Sequence, residues 1–124
     1  DAQLSDSARL AQQKAVREGH CNLLPESQIG PMTRIQIARD RAMAQAVVKA
    51  RQPGKTVLLI AGAGHVLRPL GVPQHLPSDI KFASVQLLAT AAATPAGPTS
   101  DYDSIWPTPP LRPQDYCASL KRPA

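Results

Sequence analysis

The spacing of apolar and polar residues divides this chain into a helical first half and a second half of short apolar runs. After Ser5, the apolar residues Ala8, Leu10, Ala11, Ala15 and Val16 recur at helical intervals up to Glu18. Ser5 or Asp6 can cap the start of this helix, and Gly19 marks its end. A connector through His20, Cys21 and Pro25 leads to a longer periodic stretch, residues 31–51. Pro31 opens it, and Pro53-Gly54 closes it. As a helix it spans roughly 30 Å. At about 100° per residue, Met32, Ile35, Met43, Ala46 and Ala50 share one face. Arg39 falls within that face, with Asp40 to one side. A guanidinium there must snorkel to the edge, pair with a carboxylate or clamp an anion. Met32 and Met43 read first as core filler.

In the second half, Val57, Leu58, Leu59 and Ile60 form an unbroken apolar run. A β-branched, Gly-flanked run of this kind predicts a strand covered on both faces, as in a parallel α/β sheet. Gly62 and Gly64 then permit a tight turn, and His65 follows at once. Ligands of open α/β sheets sit beyond the carboxyl ends of the strands, so His65 stands at a candidate site. The alternative is a structural histidine bonded to the glycine loop. Pro73 suits the first turn of a short helix through Leu76, with His75 on its surface. Residues 81–88 read as a second strand and residues 89–100 as a loop or linker. Residues 101–107 read as an edge strand, because the prolines from Pro107 onward forbid a central one.

At 124 residues with a net charge of +5, the chain is one domain or part of one. Its basic residues are scattered, and its aromatics are Phe82, Tyr102, Trp106 and Tyr116. Without a basic face or stacking aromatics, nucleic-acid binding is not expected. Carboxylate-bearing ligands suit the charge better. No apolar run approaches the roughly 20 residues of a membrane span. The start shows neither a signal peptide nor a lipoprotein cysteine, so such segments are expected to be removed or to lie upstream. Cys21 and Cys117 lack metal-ligand spacing but could form one long-range disulfide in an oxidising compartment. Ser78, Ser84 and Ser104 lack a nucleophile elbow.

Four stretches carry a family resemblance: G-A-G-H-V with the following G-V-P-Q-H-L, the helix A-R-D-R-A-M-A, the turn G-H-C-N-L-L-P, and the tail D-Y-D-S-I-W-P-T-P with its cysteine. Together the chain resembles the ChaN family of haem-binding, iron-uptake lipoproteins, in the superfamily that includes the Tiki and TraB proteins. The resemblance implies an α/β fold, here a partial parallel sheet with a helical subdomain. It is expected to be the C-terminal half of a larger domain, with residues 1–54 helical and residues 55–124 completing the α/β part. The other half would come from the same fold or from a second subunit.

Haem is the implied cofactor, in a slot lined by Met32, Ile35 and the loop of Gly62 and Gly64. His65 and Arg39 would face the propionates, or His65 would reach the iron. The family also implies a tyrosine iron ligand and a pocket shared by two subunits. Tyr102 and Tyr116 are the tyrosines present. Further implications are a Cys21–Cys117 disulfide, worth about 4–5 kcal/mol in the entropy model, and a periplasmic or outer-membrane location, with tethering through a lipid anchor. No catalysis is expected of this chain. The alternative is a metal-dependent hydrolase of the Tiki type, in which the Gly62–His65 element supplies a metal ligand. For that role the chain offers only the glutamates Glu18 and Glu26, and no paired aspartates.

Overall fold

A computed structural model describes residues 4–91 and 99–120. Helix α1 (Asp6–Gly19) begins where the capping signal places it, with the Ser5 side chain accepting from the Ala8 amide. It ends through a Schellman turn: Asn22 N–H donates to Arg17 O, and Cys21 N–H to Glu18 O. Cys21 and Asn22 therefore adopt positive φ, 59° and 55°, where glycine is usual. The buried residues of α1 are Ala8, Gln12 and Val16, and Leu10 faces solvent.

Helix α2 runs over Glu26–Ala50, so it starts upstream of Pro31 and carries that proline inside. Its buried stripe is Ile29, Thr33, Ile37, Asp40 and Ala44. The expected face is thus rotated. Ile35 and Arg39 are exposed, Met32 and Met43 are half-buried, and Asp40 takes the position inferred for Arg39. The physical reason is a tertiary partner for Asp40, described below, which periodicity alone does not reveal.

After α2 the chain departs from expectation. Residues 57–60 form no strand, and residues 57–61 make no hydrogen bond with any described residue. Leu58 and Ile60 are 80% and 85% exposed. Among the described residues no strand pairs with this apolar run to bury it. Two short 3-10 turns follow, Ala63–His65 and Val72–His75, the second with its proline at the start as expected.

Strands β1 (Val85–Ala89) and β2 (Ser104–Thr108) form a two-stranded parallel sheet in the register Val85↔Ser104 to Ala89↔Thr108, with Leu88 opposite Pro107. The fold is mixed α/β with a small partial sheet. Most of the connector expected over residues 89–100 lies outside the described residues. Cys21 and Cys117 are joined by a disulfide that ties the turn after α1 to the tail, with Cα atoms 5.6 Å apart. Among the described residues no helix is long and apolar enough to cross a membrane.

Candidate functional site around His65

The glycine loop is fixed by three parts of the chain. The Tyr102 hydroxyl donates to Ala63 O at 3.2 Å. The Ser84 hydroxyl donates to Val66 O. Gly71 packs directly on the His65 carbonyl. Between these anchors the His65 side chain turns toward α2, leaving only 13% of itself exposed.

There it meets Asp40, whose side chain is 1% exposed. His65 Nδ1 lies 2.5 Å from Asp40 Oδ1, and Gln36 Nε2 stands 3.4 Å from His65 Nε2. Gln12, from α1, donates to Leu70 O at 2.9 Å and reaches Asp40 Oδ2 at 3.5 Å. Burial pushes the Asp40 carboxyl up, while the hydrogen bond from His65 opposes this. Among the described residues no Lys or Arg is ion-paired with it. An unneutralised buried carboxylate is costly, so the imidazole is its principal compensation.

His75 also faces this carboxylate electrostatically. Expected on the surface from its sequence context, this residue instead has both ring nitrogens buried without a hydrogen-bond partner among the described residues. Burial pushes its pKa down; nearby Asp40 opposes the shift, and Arg41 reinforces it. Its turn is a single short one, and nothing in the local spacing marks the ring as buried.

A small pocket of about 180 Å³ adjoins the His65 loop, lined among others by Met32, Gln36, Gly64, Gln12 and His20. Of the residues singled out in the sequence, Gly64 and Met32 share this pocket, His65 turns from the same loop to Asp40 and Gln36, and Gly62 is exposed just before. Arg39 projects to solvent from the neighbouring position on α2. Of the two tyrosines, Tyr102 is buried and bonded to the loop backbone, and Tyr116 is 70% exposed in the tail. Among the described residues no group of three or more His, Cys, Asp or Glu is placed to hold a metal ion.

A second, larger groove of about 470 Å³ runs between residues 57–61 and β1, with Phe82, Leu87 and Trp106 in its walls. Its described lining contains no imidazole, thioether, thiol or phenol. It therefore offers apolar surface but no side chain suited to bind iron.

Residues 1–76 match a family model described as haem-binding uptake, Tiki superfamily, ChaN. Comparison with curated proteins and with solved structures finds no match.

Proposed function

This chain belongs to the haem-binding uptake family ChaN of the Tiki superfamily, and from that premise we propose that it binds haem at His65 as part of an iron-acquisition protein outside the cytoplasm. The observation that carries this reading is the Asp40–His65 hydrogen bond. With Nδ1 engaged by a buried carboxylate, Nε2 would bind iron once the Gln36 amide beside it is displaced; a carboxylate behind the other nitrogen is usual for a metal-binding histidine. Haem supplies an iron with an open axial position and two anionic propionates. Met32, Gly62 and Gly64 would flank it. Arg39 is exposed and makes no ion pair with a described residue, so it suits a propionate.

The pocket beside His65, at about 180 Å³, is smaller than the roughly 300–1,000 Å³ of ordinary ligand sites. A porphyrin therefore lies only partly within it, and a second wall comes from another subunit or from further elements of the fold. The same elements would cover the bare apolar face of Leu58, Ile60, Leu87 and Trp106. The disulfide accords with an oxidising compartment, the periplasm or outer membrane, where a lipid anchor would tether the protein.

Hemin titration tests the reading. The protein should shift the Soret band of hemin, and His65→Ala should abolish or strongly reduce that shift. Equal binding by the parent protein and His65→Ala would remove His65 from the site. No shift with the parent protein would end the haem reading.

A further inference from the structure

We propose that Asp40 is a positioning residue that holds His65 as the Nδ1–H tautomer and so leaves the ring's single lone pair on Nε2, beside the Gln36 amide, for whatever displaces that amide. The hydrogen-bond pattern favours this assignment. Leu70 O can only accept, so the Gln12 amide must point its nitrogen inward. That nitrogen also faces Asp40 Oδ2, which must therefore accept. Oδ2 of Asp40 is then an acceptor, and the one proton between Oδ1 and His65 is assigned to Nδ1, an imidazole nitrogen being ordinarily more basic than a carboxylate. On the far side of the ring, the Gln36 amide nitrogen stands 3.4 Å from Nε2, an orientation compatible with a bare lone pair there.

Three elements of the fold cooperate in this arrangement. Helix α2 supplies both the acceptor for Nδ1 and the donor at Nε2, from Asp40 and Gln36. Helix α1 supplies Gln12, which orients the carboxylate. The Tyr102, Ser84 and Gly71 contacts fix the backbone on both sides of His65. The Nε2 lone pair is thus preset before any ligand arrives, and a ligand there exchanges for the Gln36 amide. A carboxylate behind the ring also makes Nε2 a stronger donor.

The tautomer itself does not depend on haem. Only the consequence for ligand binding rests on the function proposed above, and the measurements separate the two. Long-range ¹H–¹⁵N spectra of the histidine rings in the whole protein read the tautomer directly. The expected pattern for His65 is a protonated Nδ1 and an unprotonated Nε2; the reverse pattern overturns the proposal. Asp40→Asn offers an amide that can donate to Nδ1, so His65 should move toward the Nε2–H form and hemin affinity should fall about 10–100-fold. Asp40→Glu keeps the carboxylate and should recover the Nδ1–H pattern. Unchanged hemin affinity in a folded Asp40→Asn protein overturns the ligand-presenting role. If that variant does not fold, the parental ring spectrum still decides. If the parent binds no hemin, the haem reading falls, and the same spectrum tests the role of Asp40 independently.

Discussion

Gly71 lies so close to the His65 carbonyl that a Cβ added there would overlap its oxygen, and would stand 3.1 Å from the carbonyl oxygen of Gly64. The neighbours are backbone, so no flexible side chain can swing away. Gly71→Ala should push the glycine loop off its anchors at a cost of about 1–3 kcal/mol or more. The measurement is a urea or thermal unfolding midpoint. It should be paired with the His65 ring spectrum, which should lose its single tautomer. A variant as stable as the parent would mean that the loop yields easily.

His75 carries a stability cost that depends on pH. Its folded pKa is depressed below the ordinary 6.5, chiefly by burial. Above that value both folded and unfolded chains hold a neutral ring, and the group contributes no pH dependence. As pH falls below it, the unfolded chain takes up a proton that the folded chain resists, so stability declines. His75→Phe should remove this decline. It should also relieve two unsatisfied ring nitrogens, which leaves the protein about as stable at neutral pH or up to about 1–3 kcal/mol more so. Denaturation at pH 7.5 and pH 5 gives the comparison; an identical acid slope in both proteins would contradict it.

Asp103 also makes stability fall in acid, but through the loss of a favourable contribution. The Ser84 amide, 2.7 Å away, and then Arg68, 2.5 Å away, hold its carboxyl below the ordinary 3.8. Its stabilising contribution is present above that value and is lost as pH drops through the lower folded pKa. Arg68 meanwhile stacks over Phe82, with its guanidinium carbon 4.5 Å from the ring centre. Asp103→Asn should therefore lower stability at neutral pH and flatten the acid limb of the unfolding profile. An unaltered acid limb would show that the bond to Ser84 has no role in acid stability.

The Cys21–Cys117 bridge closes a loop with a sequence separation of 96. Changing both cysteines to serine should cost about 2–5 kcal/mol. The tail beyond β2 is mostly exposed, so it should also become the first target of limited proteolysis. Equal midpoints for the bridged and serine forms would mean that the unfolded chain is already compact.

The parts of the fold legible in sequence are those with local causes. The Ser5 cap, the proline-opened turn at Val72–His75 and the two flanking strands follow from residues within a few positions of one another. The disulfide follows from family resemblance, not from spacing. The buried face of α2 is not legible from periodicity, because burial there is decided at a distance. Asp40 is buried because His65, 25 positions away, hydrogen-bonds to it. Arg39, one residue earlier, has no such partner among the described residues and faces water. Residues 57–60 have every intrinsic feature of a strand, but a strand exists only beside another. His65 itself is legible from the glycines before it, whereas Gln12, Gln36 and His75 carry no mark.

Pro107 has no amide hydrogen, yet it stands within β2 opposite Leu88. A strand bearing proline is built to have one neighbour, not two. That makes β2 the finished margin of the sheet and gives the sheet a direction of growth. An added strand is therefore expected beside β1, the strand that shares its groove with residues 57–61. A single imino acid thus determines which flank of the molecule is open to assembly.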